Sequence, residues 1–163
     1  MTSLSETLSD MASVAENYCQ LIDHAGDVPE DWLDRLFGLM PQLHTAVTAL
    51  NAYHTTDMPV PKVDLEERFE LYSRLRKMLG ERDSYWLEFD ASPEDMHMSG
   101  SLADDLTDIY FDLQHGLELL DEAWPQNAAQ IWQSTYRVHW GQHLVDAERH
   151  LYALKVRNQL SLN

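Results

Sequence analysis

Two histidines near the end of the chain have the spacing of residues that could bind one metal ion. His139 and His143 are four residues apart within the stretch IWQSTYRVHWGQHLVDAERHLYAL, which covers residues 131–154. If this stretch is a helix that turns about 100° per residue, both imidazoles fall on one narrow stripe with Asp146 and His150. Two imidazoles at positions i and i+4 of a helix can bind the same ion.

The densest group of acidic residues lies in the segment SLADDLTDIYFDL, residues 101–113. On a helical wheel Asp105, Asp108 and Asp112 fall within about 60° of one another, at the edge of a leucine stripe. Like charges at these spacings repel one another by a few tenths of a kcal/mol per pair on a solvated helix, and by more when partly buried. A cation must offset this repulsion, and an arginine, a lysine, protonated histidines or a metal ion would each serve.

The connection between the two segments predicts which of these residues face each other. Pro125 opens the last helix directly after the acidic helix ends, so the two form an antiparallel hairpin. At equal rise per residue, positions at the same height have numbers that sum to about 247. Asp108 is then level with His139, and Asp104 or Asp105 is level with His143.

This arrangement is compatible with two classes of function. The first is a non-catalytic protein that acts through protein–protein contact, in which the aspartates and histidines form an internal polar network without a cofactor. The second is a divalent-metal-dependent hydrolase, of phosphoester or nucleotide-pyrophosphate type. In the second, Asp108, His139 and His143 are the predicted metal ligands, and Asp105 and Asp112 are the candidate catalytic residues.

The charge of the chain excludes several partners. Its 163 residues include 11 Lys and Arg against 28 Asp and Glu, a formal net charge of −17. Because this charge repels phosphate backbones and anionic lipids, we expect neither nucleic acid nor a membrane surface as partner. The N-terminal segment MTSLSETLSD has no basic region followed by an apolar one, and Cys19 is the only cysteine. These features predict a cytoplasmic protein without disulfides.

Hydrophobic periodicity predicts an all-α, single-domain bundle over residues 1–163, with a frayed tail from 158. The last helix is apolar around most of its circumference, with Val138, Val145 and Tyr152 in a second apolar row, and is expected to be central. We expect the stretch 81–100 to be irregular and to cover a site, with Trp86 among the side chains that pin it to the core. The five predicted helices run from about Leu4 to Ala25, Asp27 to Leu50 with a kink or break at Gly38 and Pro41, Asp64 to Gly80 with Leu65 and Phe69 on its core face, Ser101 to Glu122, and Pro125 to beyond Leu154.

Two of these motifs together resemble the bacterial domain-of-unknown-function family DUF5063. They are SLADDLTDIYFDLQHGL and HWGQHLVDAERHL, and the similarity is best over residues 68–154. The resemblance implies an all-α domain in a bacterial protein and implies no activity. The family often has a basic residue after the tyrosine of the acidic helix, where this chain has Phe111. The resemblance therefore implies that the aspartates need another cationic partner here.

A second, weaker pattern concerns the segment EERFE, residues 66–70. Followed by Asp105 and Asp108, it is similar to the EExxE…ExxD layout of all-α nucleotide pyrophosphohydrolases. However, the three glutamates fall on the polar arc of their predicted helix, and the separation between the two halves of the motif is longer than that family usually shows.

Overall fold

The computed structural model describes residues 3–27, 29–52, 63–87 and 98–162, and these residues form a helical bundle with one small β-hairpin. The all-α fold class and the C-terminal helical hairpin are thus confirmed. The elements are α1 (Leu4–Asp23), α2 (Pro29–Ala49), α3 (Leu65–Leu79), β1 (Ser84–Leu87), β2 (Met98–Ser101), α4 (Leu102–Asp121), α5 (Pro125–Thr135), a π-helical turn (Tyr136–Trp140) and α6 (Gly141–Val156).

The helices begin where the sequence provides capping side chains. At α1, the Ser3 hydroxyl accepts from the backbone N–H of Glu6, and the Glu6 carboxylate accepts in return from the Ser3 N–H, which makes a capping box. Asp64 caps α3 by accepting from two backbone N–H groups. Ser101 caps α4 by accepting from the N–H of Asp104. These contacts satisfy donors that have no partner within the helix.

Helix α4 lies inside the bundle and packs against α1, α3, α5 and α6. Two buried side chains from other helices donate to its backbone carbonyls: the Tyr18 hydroxyl to Leu106, at 2.8 Å, and the Trp132 indole to Leu113, at 3.1 Å. The indole of Trp132 lies directly on Gly116, where no larger residue would fit. This close approach fixes α4 against α5 and therefore sets the height of the helical hairpin.

The last helix contains a wide turn that the periodicity did not predict. Between α5 and α6, the backbone N–H of Gly141 donates to the carbonyl of Tyr136, five residues earlier. A Cβ on Gly141 would lie 2.3 Å from that carbonyl oxygen, so the wide turn requires glycine. The chain beyond the turn is rotated relative to a continuous α-helix.

The predicted second apolar row of the last helix is not buried. Ile131 is buried, but Val138, Val145 and Tyr152 are exposed. The side of α6 that packs into the bundle instead carries Leu144, Ala147, Leu151 and Leu154. The extra residue of the π turn rotates α6 relative to α5, so a wheel drawn at a constant 100° per residue wrongly placed Val145 and Tyr152 on the same side as Ile131.

Two further expectations were wrong, and a third was wrong in part. Trp86 does not pin its segment to the core but is exposed on β1, which pairs antiparallel with β2, so residues 84–87 and 98–101 are not irregular. Leu65 and Phe69 are exposed, because α3 buries the stripe of Leu71, Leu75 and Leu79 instead. Of the kink or break expected at Gly38 and Pro41, the break is absent, since α2 continues through both residues. Pro41 is exposed, so solvent can reach the carbonyl that its missing N–H leaves unpaired.

No helix in the described part of the chain has the length and apolar character needed to cross a membrane.

Candidate functional site

The predicted aspartates and histidines meet between α4 and the last helix. His143 lies between two carboxylates: its Nδ1 is 2.7 Å from an oxygen of Asp105, and its Nε2 is 2.9 Å from Oδ2 of Asp108. His139 has the same pattern one turn away, with Nδ1 at 2.6 Å from Asp112 and Nε2 at 3.7 Å from Asp108 Oδ2. All five residues named from the sequence therefore belong to one cluster.

The predicted heights within the hairpin agree with these contacts. Asp108 and His139 have numbers that sum to 247, and Asp105 and His143 sum to 248, as the hairpin geometry requires. The other two contacts, Asp112 with His139 and Asp108 with His143, join residues whose numbers sum to 251, about one helical turn from that level. Each histidine thus reaches two aspartates that are about one helical turn apart on α4.

Burial differs sharply across the cluster. The side chain of Asp108 is 7% exposed, whereas that of His139 is 45% exposed and forms the solvent-facing side of the group. Asp105 is buried, and His143 and Asp112 are partly buried. The cluster is therefore a partly open site, with a buried carboxylate at its base and an imidazole at its surface.

The main cation that offsets the aspartates is Arg68 of α3, which the sequence analysis did not single out. Its Nη1 contacts Asp108 Oδ1, and its Nη2 lies 3.4 Å from Asp104. A signal was present in the sequence, because Arg68 precedes Leu71, Leu75 and Leu79 by 3, 7 and 11 residues and so continues their buried stripe. A cation in that position must find a carboxylate on the helix that α3 packs against.

Tyr85 of β1 is a second residue that the analysis of the last two helices missed. Its hydroxyl donates to the oxygen of Asp105 that His143 does not contact. The ring of Tyr85 stacks on His150 at 4.8 Å between centroids, and Nε2 of His150 lies 2.6 Å from the Arg82 carbonyl. His150 is thus tied to the hairpin and does not touch the aspartates of α4.

Burial and hydrogen bonding shift the pKa values of the cluster's aspartates in different directions. Burial raises the pKa of Asp105, although the hydrogen bonds from His143 and Tyr85 oppose the shift. Burial also raises the pKa of Asp112. For Asp108, burial acts the same way, but the hydrogen bonds from His143 and Arg68 outweigh it and lower the pKa. Asp108 is therefore the carboxylate best held in its anionic form.

The two carboxylates beside His143 favour its protonated form. Burial lowers its pKa, but the hydrogen bonds and charges of Asp105 and Asp108 raise it to about 10. Carboxylates only accept, so both ring nitrogens carry hydrogen and the ring is an imidazolium at neutral pH. With Arg68, it brings two positive charges to four aspartates, since Asp104 also lies within reach of Arg68. The cluster keeps a net negative charge and favours a further cation.

An open cleft of about 500 Å³ borders one side of the cluster. Asp105 and His143 line it, but Asp108, Asp112 and His139 do not. The cleft lies between α3, the β-hairpin, α4 and α6, and its other lining residues include Tyr72, Arg76, Tyr85 and Asp146. The hairpin forms one wall, as expected of a segment that covers a site. Residues 88–97, which were also expected to cover it, lie outside the described residues.

The glutamates of the EERFE segment do not join the cluster. Glu66, Glu67 and Glu70 are exposed. Within the described residues, only Arg68 of this segment contacts the aspartates of α4. The layout of an all-α nucleotide pyrophosphohydrolase is therefore not assembled by these residues.

Comparison with known proteins supports the fold and supplies no activity. The family model described as Domain of unknown function (DUF5063) matches residues 2–157. A solved structure, that of protein BF1032 from Bacteroides fragilis, superposes with a TM-score of 0.76 at 21% sequence identity and covers 92% of each chain. At that identity the likeness concerns the fold alone. A search of curated proteins found no match.

Proposed function

The chain belongs to the DUF5063 family, and we propose that it binds one divalent transition-metal ion through Asp108, His139 and His143. One observation carries this proposal: the Nε2 atoms of both histidines converge on the same oxygen of Asp108, at 2.9 and 3.7 Å. Ligand atoms that share an ion at about 2.0–2.2 Å lie roughly 3 to 3.5 Å from one another. The observed spacing needs only small side-chain movements to match, and the bound ion takes the place of the proton on Nε2 of His143.

The contacts behind the histidines support the same proposal. The Nδ1 of His139 faces Asp112, and that of His143 faces Asp105. Histidine ligands of metal ions commonly donate their second N–H to a carboxylate, which fixes the tautomer and raises the basicity of the ligating nitrogen. Asp105 and Asp112, the candidate catalytic residues of the sequence analysis, are assigned here a positioning role.

The donor set favours zinc or a similar first-row ion over magnesium or calcium, which prefer oxygen ligands alone. Three protein ligands leave at least one coordination position open, as is typical of catalytic rather than structural sites. When bound, such an ion lowers the pKa of a coordinated water and so supplies a hydroxide for hydrolysis. The half-exposed His139 leaves this side of the site open to a substrate.

A second candidate function rests on Arg68 and His143. These two cations already offset part of the acidic charge, and every aspartate of the cluster has at least one partner. In this alternative the cluster is an internal polar network that ties α3 and the last helix to α4, and the protein acts through contact with a protein partner.

Metal analysis separates the two candidates. Protein purified without a metal-affinity step is measured by elemental analysis and by thermal unfolding, with zinc and with a chelator. The metal proposal predicts about one ion per chain and a melting temperature at least about 5 °C higher with saturating zinc than with chelator. His143→Ala should remove both effects, whereas His24→Ala, at an exposed histidine on α1, should retain them. If the protein contains no metal and its melting temperature is the same with zinc and with chelator, the polar network is supported instead.

Hydrolysis needs a separate test, because metal binding alone does not establish it. Zinc-loaded protein is assayed with p-nitrophenyl phosphate and with a nucleoside triphosphate as probes. The hydrolase proposal predicts turnover that disappears in His143→Ala and remains in His24→Ala. Stoichiometric zinc without turnover of either probe would count against hydrolysis of these two substrate types and leave the metal site standing.

A further inference from the structure

The outer side of the last helix carries an apolar ridge that neither the bundle nor the metal site uses. Apart from Lys155, the exposed positions of α6 recur at alternating steps of three and four residues, and Val138 of the π turn continues the line. Alternating steps of three and four are the spacing of a coiled-coil seam. We call this surface the outer ridge; its residues are Val138, Gln142, Val145, Arg149, Tyr152 and Val156.

We propose that the outer ridge is the interface of a symmetric dimer, in which the last helices of two copies of this chain pack antiparallel. Its four apolar residues are between 49% exposed, at Val145, and 83% exposed, at Val138. Together they expose on the order of 400 Å² per protomer, the size of the largest apolar patch on a typical monomer, which is often functional. This is about half of the roughly 800 Å² per partner in a standard interface, so the dimer is weak.

Charge explains why the second copy docks here. A chain of net charge −17 repels a second copy wherever the acidic surfaces face each other. The outer ridge contains no acidic residue; Asp146 and Glu148, which flank it, are partly buried, whereas the arginines on and beside it, Arg137, Arg149 and Arg157, are exposed. Within the described residues these arginines form no ion pair, since the salt bridges there involve other cations. The ridge is therefore a surface on which self-repulsion is low.

The positions along the ridge favour the antiparallel orientation. A two-fold axis near residue 147 places Val138 opposite Val156 of the second copy, and Val145 opposite Arg149. A parallel pair would instead stack Arg149 on its own symmetry mate, with two like charges in one layer. In the antiparallel pair, the two guanidinium groups are separated by about four residues, or roughly 6 Å along the helix.

Analytical ultracentrifugation of the full chain tests this proposal. The wild type is measured from about 5 to about 500 µM, with chelator present so that the exposed His139 cannot link two copies through a metal ion. We expect the average mass to rise from 18.9 kDa toward twice that value. A wild type that stays monomeric over this range would overturn the proposal.

Matched substitutions locate the interface. Val145→Asp should weaken self-association at least about tenfold, because it places two carboxylates in the seam. Val63→Asp, the same change at a valine that is 53% exposed before α3, should leave it unchanged. Arg149→Glu gives a second test at an exposed site and should also weaken association. Equal association of Val145→Asp and Val63→Asp would exclude the ridge.

Salt distinguishes the symmetric interface from a different pairing, in which the basic ridge docks on an acidic surface of the second copy. Raising the salt from about 0.05 to about 0.5 M should strengthen a ridge-to-ridge dimer, because it screens the repulsion between the acidic chains. The same change should weaken a contact between the arginines and an acidic surface. Association that weakens with salt would therefore overturn the symmetric arrangement.

Discussion

Replacing Arg68 by methionine tests whether the aspartate cluster depends on the cation that α3 supplies. The methionine keeps most of the length and apolar contact of the arginine stem but removes the guanidinium group. Asp108 then remains 7% exposed, with His143 as its one close cationic partner. The cost is that of a buried carboxylate that has lost one of its two charge partners.

The structure sets the size of this cost. Removing one member of a fully buried ion pair destabilises a protein by about 3–5 kcal/mol. Here the Arg68 side chain is 27% exposed, and His143 still contacts Asp108, so we expect a smaller loss of about 2 kcal/mol. For a chain of this length, that loss lowers the melting temperature by roughly 4–8 °C.

Urea unfolding at pH 7, with chelator to exclude metal ions, measures the effect. We expect Arg68→Met and Asp108→Asn together to cost at least about 1 kcal/mol less than the sum of the two single changes, since the double variant has no unpaired charge. Arg76→Met is the control, because among the described residues the guanidinium of that exposed arginine makes one hydrogen bond, to the Tyr72 hydroxyl at 3.3 Å, and its loss should cost less than about 0.5 kcal/mol. Strictly additive losses, or an Arg68→Met variant as stable as the wild type, would refute the reasoning.

Three further predictions concern other groups. The first concerns the stability advantage of the wild type over His143→Gln, measured with chelator present. Burial lowers the pKa of His143, but the neighbouring carboxylates raise it to about 10, so this advantage should be complete below pH 6.5 and decline as the pH rises toward 10. Urea unfolding across this range measures it, and an advantage that grows with pH would show that the assignment is wrong. Gly141→Ala should destabilise the protein by about 1–3 kcal/mol, because the added Cβ would meet the Tyr136 carbonyl. Gly38→Ala, which has open space around it, should instead stabilise α2 by about 0.5–1 kcal/mol. Thermal unfolding compares the two variants, and equal melting temperatures would contradict the close approach at the wide turn. Burial raises the pKa of Cys19 to about 12. Its thiol should therefore react with an aromatic disulfide reagent at pH 8 at least about 100-fold more slowly in folded than in urea-unfolded protein. Similar rates would show that the core around Cys19 opens readily.

Local patterns in the sequence were sufficient to predict most of the helices and the meeting of the aspartates with the histidines. Capping residues and glycine stops act over a few positions, so they can be recognised without the fold, as at Ser3 and Asp64. The short turn before Pro125 fixed the relative height of the last two helices, which is why Asp108 could be set level with His139, and Asp105 level with His143, by arithmetic.

The remaining features depend on contacts between distant segments. Arg68 lies in a different helix from Asp108, and no spacing rule relates the two. The pairing of β1 with β2 requires two short segments to meet across a connection, and four-residue strands give little periodic signal. The π turn changes the helical period at one place only, so a wheel averaged over the whole helix conceals it.

That wide turn also determines how the histidine pair could be transplanted. Deleting one residue between Tyr136 and Trp140 would restore regular hydrogen bonding and, at the same time, swing everything after it by about a third of a revolution around the helix axis. Trp132 would still pack on Gly116, while the side chain of His143 would point away from α4. A designer who grafts the Asp–His arrangement onto another scaffold must therefore copy the five-residue turn together with the side chains.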